Sequence, residues 1–107
     1  SAPGKPFFVT SEAEVMTWSG TLGPDGNFTD FKPFVQQGGE GVAVDAQGNV
    51  YLAAGQVYAY DPSGRLIDTI EIPERPLQLA FGGRDGRTLF IAARTSLYAV
   101  RTRVRGR

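Results

Sequence analysis

The sequence predicts an all-β chain built from repeated four-stranded units, and three observations predict it. No window of helix length carries a 3.6-residue apolar period, whereas short runs rich in Val, Ile, Tyr, Phe and Thr recur throughout. Those runs are separated by "GPDGN", "DAQGN", "DPSGR" and "GRDGR", whose Pro, Asp and Gly pre-set turn dihedrals or tolerate positive φ. The runs also repeat in order at a spacing near 40 residues.

Each predicted strand lies between such signals. Phe7–Thr10 and Val15–Ser19 flank the polar Ser11–Glu14 stretch, and Phe28–Phe34 follows "GPDGN". Gly41–Val44 and Val50–Ala53 flank "DAQGN"; Val57–Tyr60 follows Gly55, and Leu66–Ile70 follows "DPSGR". Leu77–Phe81 begins after Pro76, Thr88–Ala92 follows "GRDGR", and Leu97–Arg101 follows Arg94-Thr95-Ser96. Gly26, Gly48, Gly64 and Gly86 are the expected positive-φ residues of their turns. Asp45 is expected to cap its own turn by accepting backbone N–H groups rather than to bind a metal. "DAQGNV" and "DGNFTD" both fail the calcium-loop spacing of the EF-hand.

In the repeat, Val42-Ala43-Val44 corresponds to Leu79-Ala80-Phe81, Val50–Ala54 to Leu89–Ala93, and Val57-Tyr58-Ala59 to Leu97-Tyr98-Ala99, with offsets growing from 37 to 40. A weaker first copy puts Phe8 under Tyr51 and Val15 under Val57. Four short strands per unit of this period describe a β-propeller blade. The chain then reads as a partial β-propeller of about two and a half four-stranded antiparallel blades, fewer than the roughly four to eight that close a ring. Residues 7–101 are the blades, divided 7–38, 39–76 and 77–101, after a linker or tag remnant at 1–6 and before a basic tail at 102–107. Completion of the ring requires either the remainder of a longer chain or self-association. Self-association is the preferred expectation, because open blade faces expose apolar rows.

Composition removes whole classes of chemistry. With neither Cys nor His, the chain holds no Ser-His-Asp triad, no Cys-His dyad and no common structural zinc site. Any reaction rests on carboxylates, Lys, Tyr, Arg or a hard cation held by oxygen. No apolar run approaches membrane-span length, so a soluble protein of bacterial cytoplasm or periplasm is expected, without membrane association. The formal net charge is zero, yet nine of the eleven basic residues lie beyond residue 60. Arg101, Arg103, Arg105 and Arg107 alternate, and on an extended strand they would share one face. The preferred reading is a solvated terminus that guards an edge strand; no helix pattern or aromatic platform supports a nucleic-acid partner.

The stretch "GVAVDAQGNVYLAAGQVYAYDPSGRLIDTI" followed by "IPERPLQLAFGGRDGRTLFIAARTSLYAV" resembles the C-terminal blades of the regucalcin/gluconolactonase, or senescence-marker-protein-like, family. "F-G-G" before a "T-L" strand is the most discriminating token, and the similarity covers about residues 39 to 101. The resemblance implies a six-bladed propeller with one axial divalent cation, calcium foremost, and hydrolysis of sugar lactones. It also implies that Glu40, at the position of a Pro-Asp-Gly aspartate before an inner strand, is the metal-ligand candidate, although Glu is longer by one methylene. The other ligands that the resemblance implies belong to blades outside this chain. Arg94, in "AARTS", is the substrate-binding candidate, because the family brings this strand end to the axial face. Trp18, Tyr51, Tyr58, Tyr60 and Tyr98 are expected in inter-blade packing. Neither Lys5 nor Lys32 has a phosphate-loop context. Two functional classes remain: a lactonase-like hydrolase or part of one, and a non-catalytic propeller module for protein or ligand binding that has lost the metal site.

Overall fold

The computed structural model describes residues 6–11, 13–22 and 24–106. It contains three antiparallel sheets in meander order. The first holds β1 (Pro6–Ser11), β2 (Met16–Leu22) and β3 (Phe28–Val35). The second holds β4 (Gly41–Val44), β5 (Val50–Ala54), β6 (Gln56–Tyr60) and β7 (Leu66–Ile70), and the third holds β8 (Pro76–Gly82), β9 (Thr88–Ala93) and β10 (Leu97–Arg101). Two partial blades therefore flank one complete blade, as the repeat predicts. Of the stretch read as a linker, residues 1–5 lie outside the described residues and Pro6 opens β1. No helix among the described residues is long and apolar enough to cross a membrane.

The internal repeat is visible in the register. Val44 faces Val50 and Ala43 faces Tyr51 in the second sheet, as their counterparts Phe81 and Ala80 face Leu89 and Phe90 in the third. Val57 likewise faces Ala53 as Leu97 faces Ala92. In the first sheet the alignment slips: Thr10 pairs with Thr17, so with Phe8 matched to Tyr51 it is Thr17, not Val15, that occupies the Val57 position. The cause is turn length. Gly55 alone separates Ala54 from Gln56, whereas residues 12–15 separate Ser11 from Met16, and Val15 falls in that turn with φ of 52°. Gly26, Gly48, Gly64 and Gly86 all adopt positive φ.

A blade lies between neighbours, so alternation along a strand sends side chains into two interfaces. On β5, Ala53 and Tyr51 turn to the third sheet, where Ala53 and Val57 join Leu79, Leu89 and Ile91 in one core. Val50 and Leu52 are also fully buried, on the alternate positions of the same strand. Tyr51 meets Phe81 edge-on at 5.3 Å, and Tyr60 meets Phe34 at 6.5 Å, both across blade boundaries as the aromatic pattern suggests. The outer strand β7 is exposed along nearly its whole length.

Asp45 caps its turn. Its Oδ1 accepts the N–H groups of Gln47 and Asn49, each at 2.9 Å, and its Oδ2 accepts Asn49 Nδ2 at 2.8 Å and the Tyr51 hydroxyl at 3.2 Å. Asp25, Asp61 and Asp85 repeat the motif in their own turns.

The basic tail departs from expectation. Strand β10 ends at Arg101, which pairs with Asp85 at 2.8 Å, and the chain then runs across the β8–β9 and β4–β5 turns. Thr102 N–H donates to the Arg87 carbonyl at 2.7 Å, Ala46 N–H to that of Arg105 at 2.7 Å, and Gly106 N–H to that of Gly86 at 2.9 Å. Gly106 lies against Phe81 so closely that a Cβ there would fall 2.2 Å from the Phe81 Cβ. Alternating arginines permit a strand, but backbone groups of two turns and a glycine-sized gap capture the segment as a clasp; Arg107 lies outside the described residues.

Candidate functional site

Strand direction gathers the heads of inner strands β4 and β8 and the β5–β6 and β9–β10 turns at one end of the blades. Gly41 pairs with Ala53 and Pro76 with Ala93, so Glu40, Arg75 and Arg94 all belong to that end. The crossover from β3 that delivers Glu40 is anchored by two threonine hydroxyls, that of the buried Thr17 and that of the half-buried Thr10. Thr17 donates its hydroxyl to the Gln37 carbonyl at 2.7 Å, and Gly39 N–H donates to Thr10 Oγ1 at 2.8 Å. Glu40 N–H then donates to the Ala53 carbonyl at 2.8 Å, extending the β4–β5 ladder by one bond.

The Gly-Glu-Gly sequence is steric in origin. A Cβ at residue 39 would lie 2.3 Å from the Ala53 oxygen, and one at residue 41 would lie 2.8 Å from the Leu77 oxygen. Of these three positions, 40 is the one whose side chain reaches the surface.

Glu40 meets a cation of the chain itself. Its Oε1 lies 3.1 Å from an Arg75 guanidinium nitrogen, an ion pair that joins the complete blade to the one after it. Arg75 immediately precedes β8, and its neighbour Glu74 engages the β9–β10 turn instead, accepting hydrogen bonds from Thr95 and from Tyr98, the latter at 2.8 Å. The hydroxyls of Ser96, Thr95 and Tyr98 hold the Glu74 carboxyl down at about 2. Arg94 is exposed and makes no ion pair or hydrogen bond among the described residues. The two residues singled out from sequence thus share an end of the molecule, Glu40 engaged by Arg75 and Arg94 facing solvent. Sequence reasoning missed Arg75 and Glu74, although a Glu-Arg-Pro directly before an inner strand was available as a signal.

These donors do not by themselves fit a divalent cation. Among the described residues no three Asp, Glu, His or Cys side chains converge, and the Glu40 carboxylate is opposed by a guanidinium. Asp45 is fully buried, and both its oxygens are taken by the turn. A cavity of about 560 Å³ opens elsewhere, between the first two sheets beside Gln47, Pro62 and Ser63, at the opposite end of the blades.

Comparison with known proteins matches residues 6–95 to the family described as the SMP-30/gluconolactonase/LRE-like region. A gluconolactonase of Zymomonas mobilis is 36% identical over 69 residues, covering 63% of this chain and 19% of that protein. A 6-deoxy-6-sulfogluconolactonase of Pseudomonas putida is 40% identical over 58 residues, covering 50% of this chain and 20% of that protein. The chain therefore spans about a fifth of the length of these relatives. Among solved structures, regucalcin of Agrobacterium tumefaciens, a calcium-binding protein, superposes with a TM-score of 0.85 at 20% identity, over all of this chain and 45% of that one. A gluconolactonase of Xanthomonas campestris superposes with a TM-score of 0.63 at 19% identity, over all of this chain and 39% of that one.

Proposed function

The chain belongs to the SMP-30/gluconolactonase/LRE-like family, and from that premise we propose that it supplies blades of a lactonase-type β-propeller acting on sugar lactones. The observation that carries the proposal is the family match over residues 6–95 with Glu40 at the head of the inner strand of the complete blade. The ring is completed by association with further copies of the chain or by blades of a longer polypeptide. In lactone opening, water adds to the carbonyl carbon, the carbonyl oxygen takes up negative charge, and the ring C–O bond breaks to leave an aldonate and a hydroxyl. Glu40, oriented by Arg75, is suited to accept a proton from the attacking water, and Arg94 to hold an oxyanion by charge-assisted hydrogen bonds. Calcium binding is proposed only for a closed ring, with Glu40 as the carboxylate this chain would contribute and the remaining oxygen ligands drawn from other blades.

Base uptake during hydrolysis of glucono-δ-lactone by the assembled protein, set against the spontaneous rate, tests the proposal. Acceleration that Glu40→Gln abolishes is the expected result; a rate equal to the spontaneous one overturns it. Calorimetry with calcium on the same assembly tests the cation separately, and absence of heat rules calcium out. The engagement of Glu40 by Arg75 favours a second reading, a propeller module that binds without catalysis. That reading predicts a stable ring with no hydrolysis of any lactone.

A further inference from the structure

Arg94 stands on a turn whose conformation is fixed from outside it. Ala93 N–H donates to the Ser96 carbonyl at 2.9 Å, which closes the turn. Glu74, which lies in the connection before β8, then clamps it: its carboxylate accepts from Thr95 Oγ1 and from the Tyr98 hydroxyl at 2.8 Å. The anion is well satisfied by these donors, and the same contact pushes the Tyr98 phenol up. The adjacent Arg75 is engaged in the other direction, by Glu40. The Glu-Arg pair at the head of β8 is thus divided, one member tied to the preceding blade and the other to the turn of its own.

The guanidinium that this clamp presents is exposed and has no anionic partner among the described residues. Its planar fork of N–H donors matches a carboxylate or sulfonate in two parallel hydrogen bonds. Holding the turn in advance removes part of the ordering cost that a loose loop would incur on binding.

We infer that Glu74 is a positioning residue that fixes the β9–β10 turn so that Arg94 grips an anionic substituent, a carboxylate or sulfonate, carried by the lactone. The inference rests on the proposed lactone-binding role of this face, and it assigns the face a substrate class, acidic rather than neutral sugar lactones.

The test compares kcat/KM for 6-deoxy-6-sulfoglucono-lactone with that for glucono-δ-lactone in the assembled protein. Arg94→Gln is expected to lower the anionic-to-neutral ratio roughly tenfold, the scale of one lost charge-assisted pair. Glu74→Ala lowers it to a similar extent, and Glu74→Gln, which retains an acceptor oxygen for Thr95 and Tyr98, restores most of it. If Glu74→Ala reduces both activities in proportion and leaves the ratio unmoved, its role is structural and the inference is overturned. Where Glu74→Ala does not fold, Glu74→Gln and Arg94→Gln carry the comparison, and an unchanged ratio in Arg94→Gln is equally decisive against it. If the wild type hydrolyses neither lactone, the lactonase reading fails independently. Titration with sodium sulfate, followed at the Arg94 Nε–H resonance, then decides the inference: a saturable shift that Glu74→Ala abolishes supports it, and an unmoved resonance overturns it.

Discussion

Asp45→Ala is the substitution whose cost the structure defines most closely. The carboxylate has no exposed surface and accepts four hydrogen bonds, from the backbone of Gln47 and Asn49 and from the side chains of Asn49 and Tyr51. Alanine removes every acceptor at once. Gln47 is exposed and its N–H regains water, whereas Asn49 and Tyr51 are only partly exposed, leaving three donors inadequately satisfied. At about 1 kcal/mol for each, the loss is roughly 3 kcal/mol, a large share of the ~5–15 kcal/mol that holds a domain of this size. Asp45→Asn keeps one acceptor oxygen for the two backbone donors but turns an amide toward Asn49 Nδ2; its cost is about 1 kcal/mol. Urea unfolding followed by far-ultraviolet circular dichroism measures both, with an unchanged m-value as the condition for comparing midpoints. A loss below about 0.5 kcal/mol for Asp45→Ala, the range of ordinary surface changes, would refute the capping account.

Burial first, then the charge and hydrogen bond of Asp45, push the Tyr51 phenol up to about 12. A phenol pKa raised in the folded state stabilises the fold below the ordinary value of 10, and that contribution is lost as pH rises towards 12. Spectrophotometric titration should find Tyr51 titrating late, moved down but not fully normalised in Asp45→Asn, because burial remains. Glu74 and Asp85 are both held near 2, against ordinary values of 4.5 and 3.8, by hydroxyl donors and by Arg101 respectively. Their contribution is present above those ordinary values and is lost as pH falls towards 2, so melting temperatures should drop through that window, less steeply in Glu74→Gln. Gly106→Val should lower stability by about 1–3 kcal/mol through its clash with Phe81 and speed amide exchange at Ala46, while leaving the first sheet unaffected. Light scattering should report an assembly larger than one chain, consistent with the exposure of Leu97 and Phe31; a stable monomer would contradict the proposed self-association.

What the sequence disclosed divides by the range of the interaction. Turns were legible because Asp45, Asp61 and Asp85 satisfy donors within four residues of themselves, and such chemistry does not depend on the rest of the fold. The register of the second and third sheets was legible because one pattern occurs twice. The first sheet slipped by two residues at a turn whose length the pattern does not encode, and the path of residues 102–106 depends on a glycine-sized gap beside Phe81 that no local pattern announces. The candidate site lies between these cases. The family resemblance marked Glu40 at the head of an inner strand, but its partner is 35 positions away in sequence. That separation is close to the repeat itself. Heads of successive inner strands pack side by side, so charges about one period apart are neighbours across a blade boundary, and Glu40 with Arg75 fits this rule. Applied to the proposed ring, the rule would make the axial face a circuit in which each blade's head faces the next, and the charge Glu40 would present to a ligand there would be set by Arg75 on one side and by the preceding head on the other.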